Sequence, residues 1–130
     1  MAKFCSSVIL DAAATVIRDR AAKIAVCTSN AIASVDDVEA QTLAVTTLTT
    51  GAGSTSFAIQ DGDISGRKIT IAAQSSIAVG TTGVAGKICL YTTIGTTALL
   101  YITECTTQAL ASTANKVTIP AWKIEFRDAT

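Results

Sequence analysis

The chain has 130 residues, and its ten basic and ten acidic side chains leave a formal net charge of zero. That length is one domain, and a neutral chain exerts no bulk attraction on nucleic acid or an anionic membrane. Only 15% of the residues are charged, against about 25% in ordinary globular domains. Either part of the surface is covered by partners, since near-zero charge promotes association, or threonine, at 21 residues, supplies the missing polarity.

The N-terminal apolar run Val8-Ile9-Leu10 is too short for a signal-peptide core and is followed closely by Asp11 and by Arg18-Asp19-Arg20. No stretch approaches the roughly 18 apolar residues of a membrane span. The expectation is a soluble protein that folds in the cytoplasm. From Ser7 to about Lys23 the apolar spacing predicts a helix, with Ile9, Ala13, Val16, Ile17 and Ile24 along its inner side and Asp11, Arg18 and Asp19 opposite. Ser6 or Ser7 can cap its start. Such an amphipathic helix needs a sheet to cover.

Lys23–Thr28 predicts a strand, Val35–Ala40 a single helical turn, and Gln41–Thr50 a second extended segment. Gly51-Ala52-Gly53-Ser54 breaks the chain. Strands are then expected at Phe57–Gln60, Arg67–Gln74, Ile77–Val79, Gly86–Thr92, Ala98–Thr106, Lys116–Ile119 and Trp122–Arg127. Short strands at intervals of about 8–12 residues, separated by Gly-, Asp- and Thr-rich breaks, indicate a sandwich or barrel. The clearest alternation sets Trp122, Ile124 and Phe126 inward and Lys123, Glu125 and Arg127 outward. Ala98–Thr106 is apolar on both faces, with Leu100 and Ile102 on one and Leu99 and Tyr101 on the other. The predicted fold is therefore mainly β, an N-terminal amphipathic helix packed on an antiparallel β-sandwich or barrel, jelly-roll-like. Residues 1–24 form the arm and helix and 23–130 the β part of a single domain.

Catalytic chemistry has little to work with. Histidine is absent, which removes the commonest general base near neutral pH, and no nucleophile-elbow or phosphate-loop motif occurs. Cys5, Cys27, Cys89 and Cys105 form no Cys-x-x-Cys pair. Most are expected as buried free thiols. Asp61-Gly62-Asp63-Ile64-Ser65-Gly66 matches the first half of a calcium loop, but Ala72 stands where the closing Glu belongs. A tight turn satisfies the same residues. No enzyme activity, cofactor or metal is expected. Basic residues are scattered and not interleaved with aromatics, so neither nucleic acid nor membrane is expected as a partner.

Several segments resemble a family of small tailed-phage virion structural proteins, mostly without assigned function. They are Met-Ala-Lys-Phe at the start, Val8–Ala13, Lys23–Ser29, Asp61–Lys68, Leu99–Thr103 and Val117–Glu125. The resemblance covers most of the chain and is weakest from Ala31 to Ser56. It implies a virion structural protein, in particular a capsid decoration (cement) protein. Such proteins bind and stabilise joints between major capsid subunits and are commonly β-sandwiches and often trimers. It places the chain on the capsid surface as a homo-oligomer, with Lys3, Phe4, Arg18, Arg20 and Arg67 as candidate contact residues. Phe4 could instead staple onto the helix's own first turn. Two other classes stay open. One is another virion part, such as a tail, fibre or head–tail joining protein, although a fibre would show repeats. The other is a host-adhesion module, for which the single tryptophan, Trp122, stands on the apolar face of its strand and reads as core.

Overall fold

The structure, a computed structural model, describes residues 5–128. Helix α1 spans Ser7–Arg20. Ser6 caps it, its hydroxyl accepting from the Val8 N–H at 3.2 Å, and Arg18 and Arg20 lie in the last turn, where cations suit the helix dipole. Strand β1 (Lys23–Thr28) follows, then helix α2 (Val35–Gln41), capped by Ser34. The remaining strands are β2 (Thr42–Thr47), β3 (Phe57–Asp61), β4 (Arg67–Ile71), β5 (Gln74–Ala78), β6 (Gly83–Thr92), β7 (Ala98–Leu110), β8 (Lys116–Ile119) and β9 (Trp122–Phe126). The predicted Arg67–Gln74 strand breaks after Ile71, and β5 begins at Gln74, bulged at Ser76, whose φ is 56°.

The fold is mainly β and antiparallel, with the N-terminal helix expected from the sequence. Four strands pair in the order β2-β1-β6-β7, three in the order β3-β4-β9, and β5 pairs with β8. An isolated bridge, Ala44 to Val79, ties the end of β5 to β2. Strands β2 and β7 end the four-stranded sheet and β3 and β9 the three-stranded one, so no barrel closes among the described residues.

The core explains why β1 reads as a continuous apolar run rather than an alternating one. Ile24 and Val26 point into the main cluster, with Leu90 of β6, Ile69 and Ile71 of β4, Ile124 of β9 and Ile119 of β8. Ala25 and Cys27 point the other way, into a second cluster with Cys89, Tyr91 and Val38 of α2. A strand buried on both faces needs apolar residues at every position.

Three expectations change. The inner side of α1 is Leu10, Ala14 and Ile17, of which only Ile17 was expected there; Ile9, Ala13 and Val16 face solvent, and Ile24, buried as expected, belongs to β1. Both sides of the helix are apolar, so periodicity alone selects the wrong one. On β7, Leu90 pairs with Tyr101 and Tyr91 with Leu99, which leaves Leu100 as an extra residue. This bulge sends both Leu100 and Tyr101 to the main cluster and Leu99 and Ile102 to the second. On β9, Ile124 is buried as expected, but Trp122 and Phe126 are only half-buried. Glu125, expected outward, has a side chain only 10% exposed, because the β3–β4 turn folds over it.

Candidate functional site

Among the described residues, the contact residues suggested by the sequence are Arg18, Arg20 and Arg67, each bound to a different partner within the chain. Lys3 and Phe4 lie outside the described residues. Arg18 pairs with its neighbour Asp19 at 2.8 Å, and the Arg20 guanidinium donates to the Thr96 carbonyl at 3.3 Å, clipping the end of α1 to the β6–β7 turn. Arg67 bonds Asp11 of α1 at 2.5 Å and also Asp61 at the end of β3. The Asp11 and Asp61 carboxylates push the Arg67 guanidinium still further up, so its charge is permanent. Arg67 thus ties helix to hairpin with donors already used inside the chain.

The Asp61–Gly66 segment is the β3–β4 turn. The Gly62 N–H donates to the Gly66 carbonyl at 2.9 Å. Its acids meet cations: Asp61 holds Arg67, and Asp63 holds Lys68 at 2.6 Å and also Lys123. The Ile64 N–H donates to Glu125 Oε1 at 2.9 Å. That bond, aided by Arg127, holds the Glu125 carboxyl below the usual carboxylate range. Among the described residues no group of three or more His, Cys, Asp or Glu side chains is arranged to hold a metal.

The buried thiols Cys27 and Cys89 are diagonal neighbours on β1 and β6, since Cys89 pairs with Ala25 and Cys27 with Lys87. The neighbouring Cys27 thiol and the surrounding burial push the Cys89 thiol up, which suits a protonated packing residue rather than a nucleophile. Cys5 and Cys105 are half-buried rather than buried. Burial raises the Cys105 thiol too.

Two surface features stand out. The first is the outer side of α1. Val8, Ile9, Ala12, Ala13 and Val16 recur at helical spacing and all face solvent, with Val8 73%, Ile9 63% and Val16 48% exposed. No charged residue interrupts this stripe. The second is a groove of about 820 Å³ between β7 and the β8–β9 corner. Its buried lining, which includes Val26, Ala85, Leu110 and Ile119, belongs to the main core cluster. Its exposed lining includes Glu104, Thr106 and Gln108 of β7 and Lys123 of β9. Trp122 also lines it, stacked at a tilt on Tyr101 with ring centroids 5.9 Å apart. The Trp122 indole N–H is buried without a hydrogen-bond partner. Sequence reasoning missed both surfaces. The stripe had a signal, a second set of apolar residues at positions i, i+1, i+4, i+5 and i+8; the groove had none, because it depends on which strands end each sheet.

Comparison with family models, curated proteins and solved structures gives no significant match to any of the three.

Proposed function

We propose that the chain is a structural subunit of a larger assembly, and within that class a capsid decoration or cement protein of a tailed-phage particle. In this reading it is not an enzyme. It is a homo-oligomer, with a trimer favoured, whose strands form a jelly-roll-like sandwich and which docks on the major capsid protein at joints between subunits, on the outside of the virion. The observation that carries the reading is the solvent-facing apolar stripe of α1 on a chain of zero net charge. An uninterrupted apolar face on a weakly charged surface is stable in water only when something covers it. The groove adds support, since its one thiol is pushed away from the thiolate form and no histidine exists to activate it.

Sedimentation tests the reading directly. Purified protein mixed with capsids that lack it should pellet with them at a fixed stoichiometry and raise their resistance to heat. Protein that stays in the supernatant at micromolar concentration and leaves capsid melting unchanged removes the cement role.

A further inference from the structure

We propose that Cys27 and Cys89 form a buried two-thiolate site, between the four-stranded sheet and α2, for a soft monovalent cation of the copper(I) class. The inference goes beyond the assembly role and does not depend on it, because the site lies wholly inside one chain.

Both thiols are fully shielded from solvent and belong to the second cluster, on the face of β1 and β6 that α2 covers through Val38. The register sets Ala25 opposite Cys89 and Cys27 opposite Lys87, so the two cysteines are diagonal neighbours on one face. Diagonal Cβ atoms of an antiparallel pair stand up to roughly 7 Å apart. That is too wide for a disulfide, whose Cβ atoms lie about 3.5–4.5 Å apart. It suits two sulfurs turned toward one ion between them, roughly 4.6 Å apart, which is twice a metal–thiolate bond of about 2.3 Å.

The donor set selects the ion. Thiolates favour soft cations over the hard ions that take oxygen ligands. Zinc takes three or four protein ligands, and among the described residues no third His, Cys, Asp or Glu side chain joins the pair. Copper(I) is satisfied by two thiolates in a line. The Cys27 sulfur lies 3.8 Å from the Thr42 hydroxyl. That hydroxyl now donates to the Val38 carbonyl at 2.6 Å and can turn to donate to a thiolate instead. The neighbouring Cys89 thiol holds the Cys27 thiol below its ordinary value despite burial, and the charge of Lys87 acts on both in the same sense. A copper(I) bis-thiolate carries one negative charge, which that lysine offsets. On binding, two S–H bonds break and two Cu–S bonds form. Both protons leave to solvent and the copper keeps its oxidation state. The ion enters under α2, which is seven residues long and buries one side chain, Val38. Opening so small an element exposes the pair without unfolding either sheet.

The test uses the full chain carrying Cys5→Ser and Cys105→Ser, which removes the two half-buried thiols. Copper(I) is supplied without oxygen as its bicinchoninate complex. The chain should withdraw one copper ion per molecule, and X-ray absorption should show two sulfur neighbours. The melting temperature should rise, as it does when an ion binds the native state. Cys89→Ala in the same background should lose the ion and keep its circular dichroism. If that variant does not fold, the sulfur count and the melting shift of its parent decide in its place. The proposal is overturned if no copper leaves the indicator, or if folded Cys89→Ala retains it. It is equally overturned if the melting temperature falls, because the ion is then captured by thiols of the unfolded chain. Oxidised glutathione, a disulfide oxidant, should leave both thiols free. A Cys27–Cys89 disulfide formed in the native chain would place the sulfurs at bonding distance and overturn the two-coordinate spacing.

Discussion

Gly66 adopts a φ of +69°, and a Cβ placed there would collide with the Phe126 carbonyl oxygen. Both the left-handed backbone and the contact with β9 exclude a side chain. Gly66→Ala should therefore cost about 2 kcal/mol, the range for backbone strain of this kind, seen as a lower midpoint in urea. The two acids of the same turn are bound to Arg67, Lys68 and Lys123. Millimolar calcium or a chelator should accordingly leave the melting temperature unchanged, because ion binding to the native state would raise it. Glu125 adds a pH dependence. Its folded carboxyl is held low, first by the Ile64 N–H and then by Arg127. A depressed carboxylate contributes stability that is present above the unfolded glutamate value of about 4.3 and is lost as pH falls through the lower folded value. The melting temperature should drop on acidification below that point, and Glu125→Gln should flatten the drop. A slope identical in the variant would detach Glu125 from the acid sensitivity.

At the scale of elements, strand β9 joins the turn to the core and shows what a sequence reveals. Its alternation correctly places Ile124, which is buried, but Trp122, beside which the β7–β9 groove opens, and Phe126, the last residue of the strand, are only half-buried. Trp122→Ala should thus cost about 2–3 kcal/mol, less than the 3–5 typical of a fully enclosed tryptophan, measured by denaturant melts. Ile69→Ala, at a position fully shielded from solvent, should cost at least as much despite the smaller side chain. Lys23–Thr28 and Lys116–Ile119 were legible to the residue, since β-rich runs bounded by turn signals leave little choice. The side of α1 that enters the core was not. Leu10, Ala14 and Ile17 make as good an apolar row as Ile9, Ala13 and Val16, and only tertiary packing chooses between them. The bulge at Leu100 was equally invisible, because Leu99, Leu100, Tyr101 and Ile102 are all apolar and any register keeps apolar residues on both faces. Glu125 was misplaced because its cover is a turn formed by residues about sixty positions earlier.

For the whole molecule, the same ambiguity in α1 becomes a functional statement. Helix α1 buries one of its two apolar sides against the sheets and leaves the other exposed, the side that the proposed assembly would cover. In the proposed assembly the stripe would form the apolar centre of a contact whose rim is the surrounding polar surface. Ala12 and Ala13, in the middle of the stripe, permit close approach of a second backbone, and Val8, Ile9 and Val16 supply the area. Helices meeting through such a face settle roughly 8–10 Å apart. Because the stripe is uncharged and the chain is neutral, association should resist added sodium chloride, which screens only charges, and should strengthen in sulfate, which favours apolar burial. Light scattering of the native chain should give a mass that is a small multiple of 13.3 kDa. Ile9→Glu with Val16→Glu should reduce it to a single chain. Both positions are open to solvent in the isolated fold, so the variant should keep its circular dichroism, and any loss of mass then reports the interface and not unfolding. A native chain that scatters as a monomer at high concentration, or a double variant that associates as well as the native chain, would show that this stripe is not what holds copies together.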